Sequence, residues 1–230
     1  MSAGKRWLPI AAVCVILTTG GAVGCSRTAT DSPATGSQSE AEKPTTPATG
    51  TAGAKPTIAD YLQQNDITPS QVKPGDPNAP MVKIPILPKW RDAGQATPAY
   101  AYAAQVDTNP EFSADPPTIV VVYSKLPKDT DPAEILKLAP NEVGNLPDFN
   151  AEFGGGDDPI QEKLAGFDSV RFGGSYVRDG VGRLIAQKTT VIPGNDGLYM
   201  LQINLDGPDN SIADLAEAGT AIDKFTTIKP

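Results

Sequence analysis

SVRFGGSYVRDGVGRLIAQKTTVIPGNDGLYMLQINL, residues 169–205, reads as three consecutive strands joined by two tight turns. Val170, Phe172 and Tyr176 fall at even spacing and line one side of the first strand, as a two-residue period requires. Asp179-Gly180 is a hairpin signal into Leu184–Ile192, because both residues tolerate the positive φ that such turns demand. Gly194-Asn195-Asp196-Gly197 then turns the chain into Leu198–Leu205. Gly173-Gly174 interrupts the strand pattern and marks a bulge or a close backbone approach rather than a chemical site.

Upstream, Thr118–Tyr123 is a run of nearly pure β-formers. Asp131, Pro132 and Glu134 spell a helix start, with Ile135, Leu138, Ala139, Val143 and Leu146 on one apolar face. Pro140 lacks the helical amide hydrogen and predicts a kink or break there. Further back, Thr57 with Asp60 caps a short helix, and Pro69, Pro74, Pro77 and Pro80 force a loop. Val82, Ile84 and Ile86 alternate as an edge strand, since Pro85 cannot donate to a ladder. Ala99–Val106 alternates less cleanly. Downstream, Ser211 with Asp214 caps a last helix whose stripe is Ile212, Leu215, Ala216, Gly219 and Ile222. The order predicts an α+β fold, an antiparallel β-sheet flanked by helices and covered on one side.

The N-terminus points to export. Lys5 and Arg6 precede 11 largely apolar residues, Trp7–Leu17, too few to span a bilayer and suited to a signal peptide. Ala22-Val23-Gly24-Cys25 resembles the bacterial lipobox, departing from it at Ala22. That resemblance implies cleavage after residue 24 and acylation (palmitate) of Cys25, with the protein anchored on the extracytoplasmic face of the cell membrane. The alternative is a secreted protein cut nearby, with Cys25 incidental. Of residues 26–56, 25 are Ser, Thr, Pro, Ala, Gly or Gln, a composition that cannot offset its own ordering entropy and predicts a disordered tether. Thr45, Thr46 and Thr49 beside Pro47 suit O-linked sugars, and an unmodified spacer fits as well. The expected organisation is a leader over 1–24, an acylated cysteine and tether over 25–56, and one globular domain over 57–230.

Without the leader, 17 basic residues stand against 27 acidic ones. A net charge near −10 disfavours nucleic acid and gives no polybasic attraction to anionic lipid. Cys14 leaves with the leader and Cys25 is the acyl acceptor, so the expected domain has no disulfide and needs a real core.

Several runs resemble the LpqN-type lipoprotein family of mycobacteria and relatives: Thr57-Ile58-Ala59-Asp60-Tyr61, Pro116-Pro117-Thr118-Ile119-Val120, Ser124-Lys125-Leu126, Asp131-Pro132-Ala133, Asn145-Leu146-Pro147 and Ala186-Gln187-Lys188-Thr189. The likeness covers most of 57–230. It implies a PsbP-like α/β sandwich at the cell envelope, envelope lipid handling or partner binding, and no catalytic set.

Histidine is absent altogether, which excludes Ser-His-Asp and Cys-His catalysis and zinc sites of the usual type. No metal or cofactor is expected. Gly154-Gly155-Gly156-Asp157-Asp158 lacks both a P-loop lysine and calcium-loop spacing, and reads as a loop. A carboxylate pair that meets only in the fold is the remaining enzymatic route. Aromatics are the better lead: Trp90 follows a strand, and Tyr100 and Tyr102 lie on one face of the next. Each offers an apolar body with one polar end to a sugar or lipid headgroup, and core packing is the competing reading. The sequence thus predicts a non-enzymatic binding protein, for an envelope glycolipid such as a trehalose mycolate or, alternatively, for an envelope or host protein.

Overall fold

The structure, a computed structural model, describes residues 53–153, 156 and 158–229. Cys25, the leader, most of the expected tether and most of the glycine-rich loop lie outside the described residues. In chain order the elements are α1 (Ile58–Gln64), β1 (Ser70–Gln71), β2 (Met81–Lys83), β3 (Trp90–Asp92), β4 (Ala103–Asp107), β5 (Thr118–Leu126) and α2 (Pro132–Gly144). They continue with β6 (Asn150–Phe153), β7 (Ile160–Leu164), β8 (Phe167–Arg178), β9 (Val181–Pro193), β10 (Leu198–Pro208), α3 (Ile212–Phe225) and β11 (Thr227–Lys229). This is a mixed α+β fold, and every strand pair is antiparallel.

The large sheet runs β3-β4-β5-β10-β9-β8-β6, with β1 sharing the edge of β5 and β7 sharing the edge of β8. Asp179 and Gly180 both hold positive φ, +54° and +76°, and fold β8 onto β9 as the sequence predicts. The glycine pair is a close approach: a Cβ on Gly174 would stand 2.1 Å from the Asn150 carbonyl oxygen, and one on Gly173 2.5 Å from that of Ile185. The β6–β8 register shifts at the same place.

Both faces of the sheet are covered, where the sequence pattern suggested one. Leu198 and Met200 of β10 pack with Ile58 and Leu62 of α1 and with Ile135, Leu138 and Ala139 of α2. The intervening Tyr199, Leu201, Ile203 and Leu205 pack on the other side with Leu215, Ala218 and Ile222 of α3. Apolar residues at both parities are what a strand buried on two faces needs. Val82 and Ile228, from the separate β2–β11 ribbon, close the α3 side.

Local signals were read with mixed success. Thr57 and Asp60 form the reciprocal capping box, with Asp60 N donating to Thr57 Oγ1 at 3.2 Å and Thr57 N to Asp60 Oδ2 at 2.8 Å. Asp131 caps α2 by accepting from Ala133 N at 2.8 Å. Glu134 does not close a second box, because Lys137 one turn on takes its carboxylate at 2.9 Å. The helix runs through the buried Pro140 to Gly144, its neighbours Leu138, Ala139 and Val143 anchored in the interior. Ser211 does not cap α3, since its hydroxyl donates back to Pro208 O at 2.6 Å. The buried stripe of α3 uses Ala218, while Ala216 is exposed. Ordered contacts also begin before Thr57. Asn145 holds the Lys55 backbone at both its N–H (2.9 Å) and its carbonyl (2.7 Å), and Asn141 donates to Pro56 O at 2.6 Å.

The buried charged groups Arg183, Lys188 and Asp206 are paired. Arg183 donates to Asp206 (Nε to Oδ1, 2.9 Å) and to Asp115, and Tyr176 donates to the same Asp206. On the α3 side, Lys188 meets Glu162 at 2.7 Å and Asp223 of α3.

Candidate binding cleft

Three tyrosines from distant parts of the chain stand in a row. Tyr102, just before β4, sets its ring edge-on to Tyr123 of β5 (5.4 Å, 85°), and Tyr123 lies 5.7 Å from Tyr199 of β10. Their hydroxyls donate to alternate carbonyls of one segment: Tyr102 to Val82 (2.9 Å), Tyr123 to Pro80 (3.1 Å) and Tyr199 to Asn78 (3.0 Å). Tyr199 also reaches Asp196 Oδ1 at 2.8 Å, and Asp196 is paired with Lys125 at 2.5 Å. Burial pushes the Tyr199 hydroxyl up to about 12, with the Asp196 contact adding to it, and burial likewise raises Tyr102 and Tyr123. The Lys125 ammonium, then the Tyr199 hydroxyl, hold the Asp196 carboxyl below its ordinary range. All three tyrosines therefore serve as neutral donors at physiological pH.

The segment so held forms the wall of an open cleft of about 530 Å³, within the range of small-molecule sites. Lys73, Asp76, Asn78, Asn195 and Lys229 supply its polar groups, and Tyr102 with Met81 and three prolines supplies apolar surface. Lys73 is oriented by a 2.8 Å bond to Ala99 O, and Asp76 Oδ1 accepts from Asn78 N at 3.0 Å. The cleft therefore presents ammonium and amide donors together with carboxylate and amide acceptors beside one aromatic face. Such a set matches a hydroxyl-bearing ligand.

Of the aromatic candidates, only Tyr102 lines this cleft. Trp90 is buried in the core cluster of the α3 side. Tyr100 and Tyr102 do not share a face: Tyr100 packs against Ala93, Ala101, Ala104, Val106 and Val120, and Tyr102 against the opposite cluster. Both precede the strand, which begins only at Ala103, so its alternation does not govern them. The sequence reading missed Lys73, Asp76, Asn78, Asn195 and Lys229. Proline spacing flagged the first three only as a loop, and nothing local links them to the last two.

The remaining enzymatic route is a carboxylate pair. Burial raises the Glu142 carboxyl above its ordinary range, while the amides of Gln202 (2.9 Å) and Gln187 (3.4 Å) donate to it and oppose the shift. Its hydrogen-bond partners are thus amides rather than a second carboxylate. Among the described residues no cluster of Cys, Asp or Glu suits a metal ion, and no helix is long and apolar enough to cross a membrane.

Fold and cleft define a two-faced α+β sandwich with an open, tyrosine-braced pocket. A family model described as "Probable lipoprotein LpqN" matches residues 54–229. Lipoprotein LpqN of Mycobacterium tuberculosis (strain ATCC 25618 / H37Rv) is 41% identical over 179 residues, covering 78% of this chain and 76% of that protein. A crystal structure described as that of LpqN involved in cell envelope biogenesis of Mycobacterium tuberculosis superposes with a TM-score of 0.71 at 40% identity. The match spans 77% of this chain and all of the crystallised one. The chain belongs to the LpqN lipoprotein family.

Proposed function

We propose that this protein is a non-enzymatic binding lipoprotein of cell envelope biogenesis, tethered on the extracytoplasmic face through acylated Cys25. Its ligand is an amphiphilic envelope glycolipid, such as a trehalose mycolate, taken by the headgroup. The observation that carries this reading is the open cleft of about 530 Å³, with polar groups on its walls and Tyr102 at its side. Vicinal hydroxyls pair with side chains of both donor and acceptor type, and a sugar face stacks on an aromatic ring. The exposed Met81 at the rim offers apolar surface to the first carbons of a chain. The kinship with a protein described as acting in envelope biogenesis supports the setting.

Titration calorimetry on the mature chain carrying Cys25→Ser tests it. A trehalose-type glycolipid analogue should bind more tightly than its deacylated sugar, and Asn195→Ala should weaken both without moving the unfolding midpoint. Equal affinity for the two, or no heat with either, would favour the second reading, a protein adaptor. That reading is supported by a second cavity of about 390 Å³ between Tyr176, Gly182 and Ile212, with Val181 and Ile212 exposed beside it. Anchorage is tested apart from ligand: Cys25→Ser should move the protein out of the membrane fraction, and an unmodified native thiol at position 25 would refute acylation.

A further inference from the structure

The chain is acidic, yet the two segments that form its small ribbon carry no acid. Residues 77–91 and 224–229 contain no Asp or Glu, and between them carry Lys83, Lys89, Arg91, Lys224 and Lys229. The fold brings these two segments together as the β2–β11 ribbon, where Lys83 faces Thr227 and Met81 faces Lys229. Val82 and Ile228 turn inward, so Met81, Lys83, Thr227 and Lys229 share the outward face. Phe225, the last residue of α3 and two residues before β11, is 56% exposed, with Met81 at 48% and Ile86 at 59%. Lys224 lies 5.1 Å from the Phe225 ring. Acids bound the surface without entering the ribbon: Asp76 lines the cleft beside Met81 and Lys229, Asp223 is taken by Lys188, and Glu217 meets Lys89 at 3.5 Å, which leaves Lys83, Lys224 and Lys229 without an acid partner among the described residues.

Exposed large apolar residues interleaved with unpaired lysines are the composition of an interfacial contact: the apolar groups enter the headgroup boundary and the ammonium groups meet lipid phosphate. We propose that the outward face of the β2–β11 ribbon docks on an anionic bilayer surface, with Met81 and Phe225 inserted and Lys83, Lys224 and Lys229 on the phosphates. Charge complementarity selects this orientation. The remainder of the chain carries the acidic excess and is repelled by the same surface. Met81 and Lys229 also line the cleft, so docking brings its mouth to the headgroups. The net charge hides this separation, which is why sequence reading assigned no lipid attraction.

Vesicle sedimentation of the mature chain carrying Cys25→Ser tests the proposal without an acyl anchor. Phosphatidylglycerol/phosphatidylcholine vesicles should bind it roughly tenfold or more over pure phosphatidylcholine, and raised salt should erase the difference. The double reversal Lys83→Glu/Lys229→Glu should abolish the preference, because each lysine at such a surface contributes about fivefold. Phe225→Ala should weaken binding severalfold, and none of these exposed changes should move the unfolding midpoint. The control Lys128→Glu/Lys137→Glu should keep the preference. Equal binding to both vesicles, binding to neither, or an equal loss in the control would overturn the docking face. A monomeric glycolipid that still binds by calorimetry would leave the headgroup reading standing when docking fails.

Discussion

The Tyr123 hydroxyl, on a wholly buried side chain, donates to the Pro80 carbonyl 43 residues away at 3.1 Å. Removing it strands that carbonyl, and an unmade buried hydrogen bond costs about 1–3 kcal/mol. Tyr123→Phe should therefore lower the unfolding midpoint by roughly 2–10 °C for a domain of this size. It should also speed amide exchange in residues 76–82. A midpoint within experimental error of the parent would show that water replaces the hydroxyl.

Gly174 offers a sharper test of close packing. A methyl group there would stand 2.1 Å from Asn150 O and 2.9 Å from the Phe149 ring, and the obstacle is backbone. Gly174→Ala should cost about 2–4 kcal/mol in urea denaturation, or prevent soluble expression. Gly180→Asn at the hairpin turn should be tolerated, because Asn accepts positive φ and no atom stands within 4 Å of the added Cβ. Similar losses at both positions would contradict the register.

Glu142 sets a pH dependence. Its folded carboxyl is raised above the unfolded value, chiefly by burial and to a smaller extent by Asp60, against the Gln202 and Gln187 hydrogen bonds that lower it. A raised carboxyl binds its proton more tightly when folded, so its contribution is full below the unfolded value near 4.5 and is lost as pH rises through the folded one. Glu142→Gln keeps an acceptor for both amides without the charge. Its unfolding midpoint should exceed the parent's at pH 7.5 and converge with it near pH 4. A constant offset across that range would mean that Glu142 does not titrate on folding.

Asn145 pairs with both polar groups of the Lys55 backbone. Asn145→Ala should accelerate exchange of the Lys55 amide by an order of magnitude or more, while costing only about 1 kcal/mol globally, because the pair is exposed. Unchanged exchange at Lys55 would place its protection elsewhere.

What the sequence made legible was local. The Thr57–Asp60 box, the Asp179-Gly180 turn and the apolar run of β5 are written within a few residues, and each appears in the fold. The second covered face was missed because β10 is apolar at both parities, and a period-two reading credits one face. The cap at Glu134 failed because a competitor, Lys137, sits a turn away. Tyr102 lies in the lining of the cleft, but the brace it forms with Tyr123 and Tyr199 had no signal in the sequence. The carbonyls that Tyr102 and its two neighbours grip belong to the stretch from Asn78 into β2, brought over β5 and β10, and no local pattern encodes that.

The grip on residues 78, 80 and 82 has an outcome for how molecules crowd together. The stretch turns at Pro77–Asn78 and enters β2 at Met81, and hydroxyls on a sheet face satisfy three of its alternate carbonyls. β11 pairs along β2 as well, so a second molecule seeking an edge to template on would have to displace it. Pro77, Pro80 and Pro85 delete donors along the stretch, and Pro80 and Pro85 leave at most four consecutive amides across β2. With hydroxyls, β11 and prolines occupying it, the segment offers little edge for addition, which guards against fibril-type self-association at the concentrations of a crowded surface.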